Sequence, residues 1–542
     1  MATPVISAQH LTVNEADATA TLLIKLSEAA ATAVTVQWSL SGLTASASTD
    51  LVNSSGTLTF NPGETQVELA VGLVNDATAE QIESFVFNLF TPSSNAVIGN
   101  SSTVISIVDN DSSAGVPILT VSDVVVDESA GSVQFVVMLD KPATGNVKLD
   151  FKTQNGSASA GSDYTAINGS LTFLPGETAK TITVPVLNDT AAETWENFSL
   201  VLSKVTGATA PDLVATALIA PNDVTAVNKS ALTVSDVVVS EQDGFAEFVI
   251  SLDKPNTDVV SVNYQTGNGT AIFNNDGVGN SGTLRFAPGE TLATVRIAIT
   301  NDSTLEATEN FNLQLSTPSA NAVINRNVGV ATIFDNDAET GTPIAAVSSV
   351  VVDEAEGVVS FVVTLDKPST NVITMDYASQ NGTAVAGSDF TAISGTLVFA
   401  PGETTQTVRV LLNNDTLAET DENFALTLSK VSGATVLDAS GTAIIAENDA
   451  NAVAKPNISV EDIVVGEGDV YADFIVRLDA PTTSDVTMNF STSNGTATFN
   501  NDAIGVNSAL TFAPGETVKT VRVTLVNDAN VEPAENFSLQ LF

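Results

Sequence analysis

Short runs of Val, Ile, Leu, Thr and Phe alternate with polar residues along the whole chain. Examples are Leu119-Thr-Val-Ser-Asp-Val-Val-Val126, Ser132-Val-Gln-Phe-Val-Val-Met-Leu139 and Lys180-Thr-Ile-Thr-Val-Pro-Val-Leu187. A period of two places every second side chain on one face, so these runs predict half-buried β-strands. Few stretches sustain a helical period. Turn chemistry separates the runs at Asp140-Lys-Pro142, Asn155-Gly156 and Pro175-Gly176, where Pro pre-sets φ and Gly supplies a positive φ.

The strand pattern itself repeats. Pro-Gly-Glu begins at Pro62, Pro175, Pro288, Pro401 and Pro514, each 113 residues after the last. Roughly seven strands fit one such unit, which is the pattern of an immunoglobulin-like β-sandwich. The expected class is all-β, with five tandem sandwiches at 1–111, 116–223, 230–337, 342–449 and 454–542, the fifth lacking a final strand. The connections are short. At about 3.3 Å per strand residue a sandwich is about 40 Å long, so an end-to-end rod of five approaches about 200 Å. A Phe recurs in phase at Phe85, Phe198, Phe311, Phe424 and Phe537, expected as a core anchor. The Glu of Pro-Gly-Glu is expected to be exposed on its turn.

Composition adds one outlier. With 43% hydrophobic and 15% charged residues, the 542-residue chain has enough apolar content to fold, but 18 Lys plus Arg against 63 Asp plus Glu give a net charge of −45. That field repels nucleic acid and anionic membranes and leaves cations as natural partners. Cys is absent, which excludes disulfides and thiolate metal sites. No run of about 18–20 apolar residues predicts a membrane-spanning helix. The first residues lack the basic and apolar regions of a secretory signal, so any export route lies outside this reading. Catalysis is not expected. His10 is the sole imidazole, its counterpart in the second unit is Asp123, and two Trp in the whole chain supply few platforms for a sugar cleft beside paired carboxylates.

The acids keep phase with the turn. A Glu precedes each Pro-Gly-Glu at Glu15, Glu128, Glu241, Glu354 and Glu467, and an Asp at Asp50, Asp163, Asp276, Asp389 and Asp502. In the second unit Glu128 and Asp163 are joined by Asp189, Glu193, Glu196 and Asp223, scattered in sequence but near predicted strand ends that a sandwich gathers. Ca²⁺ takes 6–8 oxygen ligands in flexible geometry, whereas Mg²⁺ keeps more water and transition metals favour imidazole or thiolate. The donor set therefore points to Ca²⁺.

A Glu after the first strand, Gly161-Ser-Asp-Tyr164, Pro175-Gly-Glu, Asn188-Asp189, Glu193-x-x-Glu196-Asn-Phe198 and, in the first and third units, a closing Asp-Asn-Asp together resemble the Calx-beta domain of sodium/calcium exchangers and large surface proteins. The resemblance covers nearly the whole chain and implies a seven-stranded sandwich with a Ca²⁺ cluster at one end. It implies ligands Glu15, Asp50, Asp76, Glu80, Glu83, Asp109 and Asp111 in the first unit, and Glu241, Asp276, Asp302, Glu306, Glu309, Asp335 and Asp337 in the third. For the fourth the set is Glu354, Asp389, Asp415, Glu419, Glu422, Glu447 and Asp449, and for the fifth Glu467, Asp502, Asp528, Glu532 and Glu535. Units depart from the pattern in pairs. The second ends Pro221-Asn-Asp223, one acid short, and the third and fifth carry Phe273-Asn-Asn-Asp276 and Phe499-Asn-Asn-Asp502 in place of Gly-Ser-Asp-Tyr. The fifth closes without an Asp-Asn-Asp, which suggests that a longer parent chain continues.

These features imply a calcium-rigidified extracellular repeat array: a stalk, adhesin, surface layer or filament at a bacterial cell surface. The alternatives are a Ca²⁺-sensing region of a larger protein and an adhesin that binds surface glycans or proteins through its loops. Self-assembly by N-terminal strand donation is not expected, because Val5-Ile6 align with Ile118-Leu119 and serve the first unit's own first strand.

Overall fold

A computed structural model of the chain describes residues 3–17, 19–46, 49–52, 55–111, 115–191, 193–223, 229–306, 308–337, 342–414, 421–446, 448, 453, 455–460, 463, 465, 471–499, 502–526 and 535–542. The first unit contains β1 (Val5–Ala8), β2 (Leu11–Asn14), β3 (Thr19–Leu26), β4 (Val34–Gly42), β5 (Ser55–Phe60), β6 (Gln66–Gly72), β7 (Glu83–Phe90), β8 (Val97–Ile98) and β9 (Ser102–Val108). They form two sheets, ordered β6-β3-β1-β8 and β2-β9-β7-β4-β5. The strands alternate in burial as their sequences do: Ala20, Leu22, Ile24 and Leu26 of β3 point inward to a core with Phe60, Phe85 and Phe87. The third and fourth units repeat this four-plus-five layout, the second has three strands in its first sheet, and the described residues of the fifth form two three-stranded sheets, each unit around its own core.

One refinement concerns the first strand of each unit. The single run expected over Leu119 to Val126 is two strands, Leu119–Val121 and Val124–Asp127. The first half pairs antiparallel in one sheet and the second runs parallel to Val214–Ala220 in the other. The chain thus crosses between sheets, and the crossing delivers the residue that follows Asp127 to the end of the sandwich. In the first unit β1 pairs with β3 and β8 of the same unit.

The recurring Phe lies in the core of the first four units and packs against that of the fifth. Phe85, Phe198 and Phe424 are fully buried, Phe311 nearly so, and Phe537 is half-buried. Its contacts explain why the units alternate in type. Tyr164 and Phe390, which follow the loop Asp, stack on Phe198 and Phe424 with ring centroids 4.1 Å apart. In the third and fifth units that place is Gly277 or Ala503, and Phe273 and Phe499 reach Phe311 and Phe537 edge-on from three residues before the Asp. Both loop types keep an aromatic on the core Phe and leave the Asp where it was.

The Pro-Gly-Glu turns carry positive φ at Gly63, Gly176, Gly289, Gly402 and Gly515. Their Glu is not simply exposed, as the sequence suggested. It folds back to accept from the backbone N–H three residues earlier, at Asn61, Leu174, Ala287, Ala400 and Ala513. Only Glu64 lies fully open; from Glu177 onward the side chain is half-buried. The reason is docking, since from the second unit on the turn is pressed against the preceding unit. The Thr that follows it meets the residue just before the phased Glu of that unit: Thr178 with Asn14, Thr291 with Asp127, Thr404 with Ser240 and Thr517 with Asp353.

Units two places apart also touch. The Tyr264 hydroxyl lies 2.9 Å from that of Ser102, Arg285 N–H donates to Gly99 O at 2.7 Å, and Ser508 Oγ donates to Asn327 Oδ1. The rod is therefore wound, and shorter than a straight row of sandwiches would be. His10 lies in the contact between the first and third units, half-buried rather than free at the surface. Its Nδ1 accepts from Val104 N–H at 3.0 Å, and burial with the nearby Arg296 charge lowers its pKa to about 4.

Candidate metal centre

The antiparallel and parallel pairings bring four scattered segments to one end of each of the first three sandwiches. In the first unit β2 runs parallel to β9 with Asn14 opposite Val108, so Glu15 and Asp109 emerge side by side. Glu83 opens β7 opposite Ile107, and Asp76 and Glu80 occupy the loop before it. Asp50 comes from the loop between β4 and β5, where its Oδ2 accepts from Ser46 N–H; Asp163, Asp276, Asp389 and Asp502 make the same four-residue closure.

In the second, third and fourth units the phased Glu opens a one-turn 3-10 helix, Glu128–Ala130, Glu241–Asp243 and Glu354–Glu356, ended by Gly131, Gly244 and Gly357 at positive φ, whereas Glu15 opens a plain turn. One carboxylate oxygen of the Glu is held by the loop across from it. Asp76 N–H donates to Glu15 Oε1, Asp189 N–H to Glu128 Oε1 and Asp302 N–H to Glu241 Oε1, at 2.9–3.0 Å.

The acids gather in two groups. Glu15, Asp76 and Asp111 present oxygens within 4.8 Å of one another, and so do Asp50, Glu80 and Glu83. The second unit repeats this with Glu128, Asp189 and Asp223, and with Asp163, Glu193 and Glu196; the third groups Glu241, Asp302 and Asp337. Asp109 lines a hollow with Glu15, Asp50, Glu80 and Glu83, between the two groups. In the third unit Asp335 does so with Glu241, Asp276, Glu306 and Glu309. The place of Asp109 in the second unit is Pro221, so the acid it lacks is the one between the groups, while Asp223 stands where Asp111 does.

In the fourth unit Glu354 is buried, Asp389 caps its loop and Glu422 opens Glu422–Ser432. Asp415, Glu419, Glu447 and Asp449 lie outside the described residues. So do Glu467, Asp528 and Glu532 of the fifth unit, where Asp502 and Glu535 are described.

The donor set fits a hard cation. The second oxygens of Glu15, Glu128 and Glu241, and one oxygen each of Asp111, Asp223 and Asp337, are buried without a hydrogen-bond partner. A buried carboxylate oxygen left unpaired is costly, and six in equivalent places aim at the same unmet need. All the ligating atoms would be oxygens, the chemistry of Ca²⁺ rather than of a transition metal. Without a cation the groups resist ionisation: burial, then the Asp50 and Glu80 charges, push Glu83 up to about 8. Burial, then Asp276 and Glu306, do the same for Glu309, and burial, then Asp163 and Glu193, raise Glu196 to about 7. The native state then holds protons that the unfolded chain releases above its ordinary carboxylate pKa. The stability of the cation-free protein falls as pH rises from about 4.5 toward about 8. Saturating Ca²⁺ would keep the same groups ionised in the native state, so between about pH 5 and 8 stability in Ca²⁺ stays level while in chelator it falls. Parallel slopes would contradict the assignment.

Sequence reasoning missed the residues that seat each centre on its neighbour: Asn14, Asp127, Ser240 and Asp353, and the Thr partners. A signal existed, because Thr65, Thr178, Thr291, Thr404 and Thr517 all follow Pro-Gly-Glu.

The Calx-beta domain description matches residues 3–111, 109–228, 223–339, 345–451 and 449–542. The Danio rerio Adhesion G-protein coupled receptor V1 is 25% identical over 547 residues, 93% of this chain and 9% of the receptor. Extracellular matrix protein 3 of Lytechinus variegatus is 27% identical over 303 residues, 52% of this chain and 10% of that protein. Sodium/calcium exchanger 1 of Canis lupus familiaris is 32% identical over 175 residues, 29% of this chain and 18% of the exchanger. The chain thus spans at most 18% of the length of these curated relatives. Among solved structures, the calcium binding domain CBD12 of CALX1.1 is 22% identical, with a TM-score of 0.21, over 40% of this chain and 99% of that one. Matched by one domain description over nearly its whole length, the chain belongs to the Calx-beta family, as five copies in tandem.

Proposed function

We propose that the chain is a calcium-binding structural array of an extracellular protein, in which Ca²⁺ at each unit's end rigidifies the junctions of a wound rod. The reading rests on one observation: buried carboxylate oxygens without partners recur at equivalent places in three successive units, each beside the docked turn of the next. Neutralising these oxygens fixes the loops on which the next unit sits. Such an array serves as a stalk, adhesin, layer or filament element, a role that needs stiffness and reach rather than a reactive group. The names of the receptor and matrix relatives accord with an extracellular setting. Isothermal calorimetry with Ca²⁺ on the full chain, paired with small-angle scattering in Ca²⁺ and in chelator, tests the reading. Several ions bound per chain and a narrower range of shapes in Ca²⁺ are expected. No heat of binding, or one scattering profile in both conditions, would overturn it.

A further inference from the structure

The short 3-10 turn that carries the phased Glu touches three units at once. In the turn from Ser240 to Gly244, the N-cap Ser240 meets Thr404 of the fourth unit, and Glu241 belongs to the third unit's own centre. Gly244 lies under Ile82 of the first unit, so closely that a Cβ there would come within 3.1 Å of Ile82 Cγ2. Ile82 sits between Glu80 and Glu83, two acids of the first unit's centre. Asn301, next to Asp302, also donates to Gln81 Oε1 at 3.2 Å.

One unit further along the geometry recurs with different side chains. Asp353 holds Thr517 of the fifth unit, Glu354 is the phased acid of the fourth, and Gly357 lies against Trp195 of the second. A Cβ on Gly357 would stand 2.4 Å from Trp195 Cδ1. Trp195 lies between Glu193 and Glu196, which group with Asp163. A backbone that carries one centre's Glu is therefore packed, within three residues, against the loop that carries two acids of the centre two units back.

Charged and polar residues also recur at matching positions in the contacts between units two places apart. His10, Asp123 and Asp236 stand in register, and the charges that act on them across the contact come from Arg296, Arg409 and Arg522, also in register. The first two units carry Ala70 and Thr183 at the Arg position.

Building on the calcium reading above, we propose that the metal centres of alternate units are coupled: binding in one centre tightens binding in the centre two units away, through the 3-10 turn and the residue between the paired glutamates. Ca²⁺ on Glu354 fixes the turn, the turn fixes Gly357 against Trp195, and Trp195 holds Glu193 and Glu196 in a binding arrangement. The coupling bypasses the intervening unit. It makes the winding of the rod, rather than each unit alone, the element that responds to calcium.

The chain contains its own reporter, because its two Trp are Trp38, buried in the first core, and Trp195, at the contact between the second and fourth units. The full chain labelled with 5-fluorotryptophan gives a ¹⁹F resonance for each, assigned with Trp38→Phe. Both are followed through a Ca²⁺ titration, in the parent chain and in Asp389→Asn, which weakens the fourth centre while an amide oxygen still caps the loop. Glu354→Gln is the second variant. Coupling predicts that the Trp195 midpoint moves to higher Ca²⁺ by about fivefold or more in both variants, while the Trp38 midpoint stays fixed. Linkage further requires the reverse effect, that Glu196→Gln in the second centre raise the Ca²⁺ needed to fill the fourth, read from calorimetry. A Trp195 midpoint unchanged in Asp389→Asn would overturn the coupling and leave calcium binding intact. Absence of any Ca²⁺-dependent shift, together with no heat of binding, would overturn the underlying reading as well.

Discussion

Chelation of the full chain is expected to lower its apparent melting midpoint by about 10–20 °C relative to millimolar Ca²⁺. The argument begins with crowding. Seven carboxylates of the first unit meet at one end of its sandwich: Glu15, Asp50, Asp76, Glu80, Glu83, Asp109 and Asp111, with Glu15 and Asp50 buried. Their mutual repulsion opposes folding until a cation is present. A ligand bound at about 100 times its dissociation constant adds about 2.7 kcal/mol to the folded state. For a domain of about 100 residues, each kcal/mol moves the midpoint by about 4–8 °C, so one ion per unit accounts for the expected shift. Magnesium at the same concentration should restore only part of it, because it dehydrates reluctantly and demands octahedral order. Differential scanning calorimetry decides the matter, and a midpoint that moves by less than about 2 °C would remove calcium from the account of stability. The second unit should be less calcium-dependent than the first and third, since Pro221 replaces the acid between its two groups.

Asp127→Ala should cost about 3–5 kcal/mol in the cooperative unfolding of the second and third units. Asp127 is buried, and every lone pair it offers is used. Its Oδ1 accepts from Ser129 N–H and Oγ–H, and its Oδ2 from Thr291 N–H at 2.8 Å and Leu292 N–H at 3.1 Å. The Thr291 hydroxyl lies 2.9 Å from both that oxygen and Pro221 O, and donates to one at a time. Truncation leaves two buried backbone donors of the third unit without acceptors, each costing about 1–3 kcal/mol, and removes the cap of the turn that carries Glu128. Urea unfolding should show the second and third units separating into two transitions. Asp127→Asn keeps an acceptor and should cost less than half as much. Equal losses for the two variants would show that the carboxylate acts by charge alone.

Much of the site was legible from phase. Glu15 and its counterparts and Asp50 and its counterparts could be placed because a repeated turn served as a ruler, and the structure brings those of the first three units into the carboxylate groups or the hollows beside them. Asp223 was harder. It stands with Glu128 and Asp189 where Asp111 stands with Glu15 and Asp76, although its position is 112 rather than 113 residues later. A one-residue deletion shifts the count but not the place, because the strand Val214–Ala220 fixes where its closing segment emerges. The alternation of loop types was visible, yet its cause was not: Tyr164 and Phe273 serve the same core Phe from opposite sides of the Asp.

The number of units, their strands and the acids that each unit carries can be read along the chain. These depend on periodicity and composition within a unit, which alternation and phase display directly. That Asp127 grips Thr291, that Trp195 lies against Gly357 and that the rod is wound emerge from packing between units. Those contacts join residues more than 160 positions apart on surfaces that face outward from each unit. A strand pattern records which side chains leave water within a sandwich, but the neighbour that covers an outward turn is chosen by shape and hydrogen bonding between finished units.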